Sequence, residues 1–119
     1  MKSHKDLDVW RLAVDLACDV YKMTETFPKA EQYGMVNQMR RSATSIASNI
    51  AEGAARQSGK EFVQFLHIAL GSTSELDTQL EIAVRVNLAN PDELQKLQES
   101  AGRVNQMLRG LAKSVRSKQ

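Results

Sequence analysis

Apolar residues recur along this chain at three- and four-residue spacing, the period of an amphipathic α-helix. Four stretches carry the pattern. The first, about residues 7–26, holds Val9, Trp10, Leu12, Ala13, Val14, Leu16, Ala17, Val20, Tyr21 and Met23. At about 100° per residue these cover an arc of roughly 200°. A core-facing bundle helix needs an arc of only about 100° or somewhat more. The excess predicts a second buried surface, and in so short a chain its source is another subunit, with Val9 and Trp10 as interface candidates. Pro28 ends the stretch, because it disfavours helical geometry at Phe27.

The second stretch, about residues 33–55, splits into two faces. Met39, Ala43, Ile46, Ala47 and Ile50 form an apolar stripe, and Gln38, Arg41, Ser45, Asn49 and Glu52 form a polar edge beside it. Ser42, Ser45, Ser48 and Asn49 are mediocre helix formers, since their side chains compete for backbone hydrogen bonds. Such a helix depends on tertiary packing, and its small residues admit a close neighbour. Ala69, Gly71, Ser72 and Ser74 nominate the third stretch as that neighbour, while Gly53 falls near a helix end where a small residue is tolerated.

The third stretch, about residues 59–88, opens on Ser58 and Glu61 at capping-box spacing. Phe62, Phe65, Leu66, Ala69, Thr73, Leu76, Leu80 and Ala83 are its core face. A flanking edge of Ile68, Ser72, Glu75, Gln79, Ile82 and Val86 is semi-apolar, and it makes Ile68, Ile82 and Val86 further interface candidates. Asn90-Pro91-Asp92-Glu93 marks the clearest helix start: an N-cap Asn, Pro at N1 and acids in the first turn. The fourth stretch, about residues 91–115, carries Leu94, Leu97, Ala101, Val104, Leu108, Leu111 and Val115 as a heptad seam. Four long helices with short connections predict an all-α, up-down-up-down antiparallel bundle spanning residues 1–119 as one domain.

Composition narrows the class further. The 119 residues are 42% hydrophobic and 25% charged, ordinary values for a globular protein. Two prolines and six glycines favour helices over many short strands. One cysteine, Cys18, excludes an intramolecular disulfide and suits a reducing cytoplasm. Residues 1–5 are polar and basic with no apolar run behind them, so neither a signal peptide nor a membrane span is expected.

Catalytic chemistry finds little support. The two histidines are His4, near a terminus expected to fray, and His67, on the polar side of the third stretch. Cys18 has no basic neighbour in sequence to lower its pKa and reads as a packing residue. A di-iron bundle needs two Glu-x-x-His pairs, but His67 has Gln64 three residues before it. No phosphate loop or zinc spacing is present. The expectation is a non-enzyme without cofactor or metal. Arg41, Glu52 and Glu75 are placed to meet where the second and third helices pack, as a polar pocket or as an ion network that sets register. Net charge is only +2, yet Arg103, Arg109, Lys113, Arg116 and Lys118 follow one another with no acid among them. Repeated around an oligomer, that run becomes a patch for anionic nucleic acid.

Several motifs carry a resemblance. Asp6-Leu7, Val9-Trp10 and Ala13 open it. Phe27-Pro28, Glu31, Tyr33-Gly34 and Gln38-Met39-Arg40-Arg41 continue it, and Ser45 to Gly53, SIASNIAEG, is its most distinctive part. Glu61-Phe62, Phe65-Leu66, Ala69, Gly71-Ser72 and Glu75-Leu76 complete it. The chain resembles, over nearly its whole length, the four-helix-bundle proteins encoded by intervening sequences within bacterial 23S ribosomal RNA genes. One departure is Ala47, where the family often has proline. The resemblance implies a cytosolic bundle assembling as a ring-like homopentamer, without an established activity. The accessory variability protein of diversity-generating retroelements is similar in fold, is more basic, and binds nucleic acid and a reverse transcriptase. Two functional classes follow: an oligomeric RNA- or DNA-binding scaffold, or an assembly ring that binds another protein.

Overall fold

A computed structural model describes residues 3–118 of the chain. These residues form four long helices and no strand: α1 (Asp8–Thr24), α2 (Asn37–Ala54), α3 (Gly59–Arg85) and α4 (Pro91–Ser117). At about 1.5 Å rise per residue, α3 and α4 are each about 40 Å long. The described chain is 47 Å in its longest direction, so these helices must fold back on one another. Cross-helix contacts give the direction of each pair. Glu81 meets Gln98 while His67 meets Arg116, and Ser42 meets Glu75 while Ser45 meets Ser72. As residue numbers rise on one helix they fall on its neighbour, so the packing is antiparallel. Each helix packs on two neighbours, α1 on α2 and α4, and α3 on α2 and α4. Hence α1 lies diagonal to α3, and α2 to α4. No described helix is long and apolar enough to cross a membrane.

The helix starts follow local chemistry. Ser58 Oγ accepts the Glu61 backbone N–H at 3.2 Å, and its hydroxyl donates to Glu61 Oε1 at 3.2 Å. Asn90 Oδ1 accepts the Asp92 N–H at 2.7 Å, with Pro91 next to it at N1. The segment expected to fray instead forms a 3₁₀ turn (His4–Asp6) capped by Ser3. The His4 ring lies edge-on to Trp10, centroids 4.9 Å apart.

Two boundaries differ from the periodicity. The helix expected from residue 33 is divided: a 3₁₀ turn (Lys29–Glu31) and a π-helical turn (Gln32–Val36) precede α2. Gly34, at φ −110° and ψ −105°, leaves helical geometry within that turn and re-aims the chain. Buried Val36 then pins the entry to α2. At the other boundary, α3 stops at Arg85 rather than near Leu88. Asn87 adopts φ +63°, and the Leu88 N–H turns back onto the Ala83 carbonyl at 2.7 Å, while the Asn87 N–H reaches Val84 O at 3.1 Å. This is a Schellman closure, in which Asn substitutes for the usual Gly. Periodicity misses it because Val86 and Leu88 remain apolar.

The core runs the length of the bundle, with Leu16, Val20, Met39, Ile46, Ile50, Leu66, Leu76, Leu80, Val104 and Leu108 fully enclosed. Val9 belongs to this core at 4% exposure, so it is spent within its own subunit and is not free to form an interface. Cys18 is exposed rather than packed inside.

The glycines exchange roles relative to the sequence reading. A Cβ on Gly71 would meet nothing within 4 Å, so Gly71 marks no close approach inside the subunit. Gly53 marks one: a Cβ there would lie 2.8 Å from Phe65 Cβ and 3.2 Å from the Phe62 carbonyl oxygen. The start of α3 therefore rests on the end of α2 through the missing side chain of Gly53. Gly53→Ala is expected to lower stability by about 1–3 kcal/mol, since a backbone carbonyl and a Cβ cannot move aside cheaply. Gly110→Ala, at an open position within α4, is expected to raise stability by about 0.5–1 kcal/mol. Thermal unfolding of the two variants checks this, and equal melting temperatures would contradict it.

Candidate functional site: a polar cleft and a basic flank

The polar edge of α2 and the flanking edge of α3 enclose an open cleft of about 400 Å³, lined by Gln38, Arg41, Ser42, Ser45, Ser72, Glu75 and Gln79. Ser45 holds its floor. Its hydroxyl lies 2.9 Å from Ser72 Oγ and accepts from Asn49 Nδ2 at 2.9 Å, while the same Asn49 amide donates to the Ser45 carbonyl at 2.8 Å. Either hydroxyl can be the donor of the Ser45–Ser72 bond, since a serine oxygen that accepts from Asn49 keeps a second lone pair. Ser42 Oγ reaches Glu75 Oε2 only at 3.5 Å, a weak contact. Gln79 is 9% exposed, and its Oε1 is buried with no hydrogen-bond partner among the described residues. An unpaired buried acceptor costs about 1–3 kcal/mol.

The ions foreseen here are not joined within the subunit. Arg41 and Glu75 flank the cleft, both exposed, and neither takes part in an ion pair among the described residues. Glu52 turns away and pairs with Arg56 at 2.7 Å, whose guanidinium stacks 4.8 Å over the Phe65 ring. Periodicity placed Arg41, Glu52 and Glu75 on the right helix edges, but Glu52 sits in the last turn of α2, about 16 Å along the helix from Arg41. Ser42 and the depth of Gln79 were missed, since both depend on how closely α3 approaches. No histidine, cysteine or lysine lines the cleft, and its one carboxylate, Glu75, reaches a hydroxyl only through the weak 3.5 Å contact with Ser42. It can donate and accept hydrogen bonds and offers one charge of each sign.

The basic run lies elsewhere. Arg109, Lys113 and Arg116 share the flank of α4 nearest α3 and are exposed, with Lys118 just beyond the helix end. Arg109 Nε donates to Asn105 Oδ1 at 2.9 Å, and Arg116 Nη2 lies 3.1 Å from His67 Nε2. Arginine only donates, so His67 accepts through Nε2. None of the three ion pairs among the described residues involves α4, and no carboxylate neutralises this flank. Arg103 does not join it. Six residues before Arg109, it is turned by about 240° around the helix, toward α1.

At the opposite end of α3, Glu81 accepts from Arg85 Nε at 2.9 Å and more weakly from Gln98 Nε2 of α4 at 3.5 Å. Chiefly the Arg85 hydrogen bond, with Gln98 and the charge of Arg85 adding to it, holds the Glu81 carboxyl below the usual carboxylate range. A lowered folded-state pKa makes the contribution complete above the unfolded value and removes it as pH falls through the folded one. An NMR titration is expected to show the Glu81 midpoint depressed, and Arg85→Ala to raise it. A second expectation concerns the cleft floor. Ser45→Ala and Ser72→Ala should couple by about 0.5–1.5 kcal/mol in a double-mutant cycle, the net worth of one hydrogen bond. Additive losses would mean that the two hydroxyls do not hold each other.

Comparisons with known proteins place this arrangement. A crystal structure of a protein of unknown function, from the S23 ribosomal protein family of Bacteroides thetaiotaomicron, is similar with a TM-score of 0.80 and 26% identity. The similarity covers 88% of this chain and 98% of that one. A comparison with curated proteins finds no match. The family model described as 23S rRNA-intervening sequence protein matches residues 5–110. With four antiparallel helices and a match over nearly the whole chain, this protein belongs to the 23S rRNA-intervening sequence protein family.

Proposed function

We propose that this chain is a non-enzymatic, cytoplasmic, self-associating bundle that binds RNA or DNA through the phosphate backbone. The observation that carries the nucleic-acid part is the α4 flank: Arg109, Lys113 and Arg116 lie together, exposed and without a carboxylate partner among the described residues, and Lys118 follows. Cations in that state are ready to replace the counterions of a phosphate chain. The family's name ties its members to a ribosomal RNA gene, which agrees with such a partner. Self-association is supported by the large exposed side chains Ile68 (51%), Ile82 (42%) and Val86 (55%) on one edge of α3. The number five comes from the family resemblance. A ring repeats the α4 flank around its axis and turns weak contacts into avidity.

Phosphate contacts carry no sequence information, so binding is expected to be largely non-specific. With about four contacts per subunit, affinity should fall about a hundredfold between about 50 and 200 mM salt. Titrating a structured RNA and a duplex DNA at these two concentrations tests this, with Arg109, Lys113, Arg116 and Lys118 changed together to Glu as the control. Binding by the wild type that the quadruple variant loses supports the reading. No binding at the lower salt, or equal binding by the variant, favours a ring that takes a protein partner. Native mass spectrometry checks the assembly: five subunits are expected, and monomer alone would overturn it.

A further inference from the structure

One face of α4 carries two kinds of polar position in succession. Gln98, Gly102, Asn105, Arg109, Lys113 and Arg116 follow one another at three- and four-residue steps, so they share the side toward α3. The last three are the cations of the basic flank. The first three line a groove of about 480 Å³, whose other wall on α3 holds Ser74, Asp77 and Thr78. The bond from Arg109 Nε to Asn105 Oδ1, 2.9 Å, joins the two zones. None of Ile68, Ile82 and Val86 lines this groove.

Much of the polar capacity in the groove is unused. Thr78 Oγ1 donates to the Ser74 carbonyl at 2.9 Å, which leaves its oxygen able to accept. Asn105 gives its oxygen to Arg109, which leaves the Nδ2 protons as donors. The side chains of Ser74, Asp77 and Gln106 make no hydrogen bond or ion pair among the described residues. Gly102 is a second and separate observation. A Cβ there would meet nothing within 4 Å, so the bare backbone serves no packing inside the subunit. Glycine weakens a helix interior relative to alanine, and what it offers in return here is close access to α4 from outside.

The chemistry of the groove differs from that of the flank. Asp77 repels phosphate but accepts from a hydroxyl, and the Asn105 amide donates to one. An alcohol, donor and acceptor at once, fits such a pair. Arg109 and Asn105 are one helical turn apart, about 6 Å, close to the separation between a backbone phosphate and the hydroxyl of its own sugar. The ribose 2′-hydroxyl is the group that distinguishes RNA from DNA. No Phe, Tyr or Trp lines the groove, so an unpaired base has no ring to stack on. An A-form duplex needs none, because its bases stack on one another and its 2′-hydroxyls line a wide, shallow minor groove. We propose that the α3–α4 side is a seat for double-stranded RNA. The α4 cations hold its phosphates, and the groove around Gly102 takes its ribose hydroxyls. The inference rests on the phosphate-binding reading and names the substrate class of that same surface.

The test uses the full chain at about 50 mM salt, where phosphate contacts are strong. Its probes are an RNA duplex, a DNA duplex of the same sequence, the single RNA strand, and the RNA duplex with 2′-O-methyl sugars. Wild type is expected to bind the RNA duplex about tenfold more tightly than the DNA duplex, the worth of one or two hydrogen bonds. The 2′-O-methyl duplex should fall to the DNA level. Gly102→Gln fills the groove at an open position, and Asp77→Ala removes the hydroxyl acceptor. Each should bring the ratio of RNA to DNA affinity close to one, with helical circular dichroism unchanged. Gly102→Gln should also keep the wild-type salt dependence, since the phosphate contacts remain. Equal binding of both duplexes by wild type would overturn the inference and leave the phosphate reading standing. A preference that survives both variants, or tighter binding of the single strand, would do the same. Failure to bind any of the four probes would sink both.

Discussion

The close approach of α2 and α3 is the constraint on which the rest of this bundle depends. Gly53 lets the Phe62–Phe65 turn of α3 press against the end of α2. Further along the same seam, the Ser45 and Ser72 hydroxyls meet at 2.9 Å. Small and hydroxylated residues are poor material for an isolated helix, and here they are chosen for a neighbour instead. The same contact buries Ser42, Ser72 and Gln79, with Arg41 and Glu75 at the rim outside any ion pair among the described residues and Ile68, Ile82 and Val86 exposed on α3.

Polar groups left half satisfied inside one subunit carry a meaning different from an ion network that closes on itself. A closed Arg41–Glu75 pair would have been a register device within the chain. Here Arg41 and Glu75 stand open at the rim of the cleft, and the Gln79 Oε1 beneath them has no hydrogen-bond partner among the described residues. On α1 the over-wide apolar arc resolves into two parts. Val9 and its core companions face inward, and Val14, Cys18 and Tyr21 rim a groove toward α2. The width of the arc was informative, but which residues supplied the surplus depended on the packing of α2.

The charge pattern follows a similar logic. α4 begins with Asp92 and Glu93 and carries no acid after Glu99, an order that suits its helix dipole. In sequence this is a gradient along one helix. Antiparallel packing sets its basic half beside the start of α3, where Arg116 meets His67 rather than a carboxylate. Arg103, part of the same run in sequence, is carried around to the α1 side by the helical turn.

Four helices, their order, both N-caps and nearly the whole core were legible from the sequence alone, because hydrophobic period and capping chemistry are local properties. The core face of α4, Leu94 to Leu108, and the stripe of α2 are examples. Three features were decided only by tertiary structure. Gly53 rather than Gly71 is the crowded glycine, since crowding depends on what lies opposite a residue and not on the residue itself. The π-helical turn at Gly34 and the Asn87 closure come from the geometry needed to carry the chain to its next packed position, which apolar spacing does not encode.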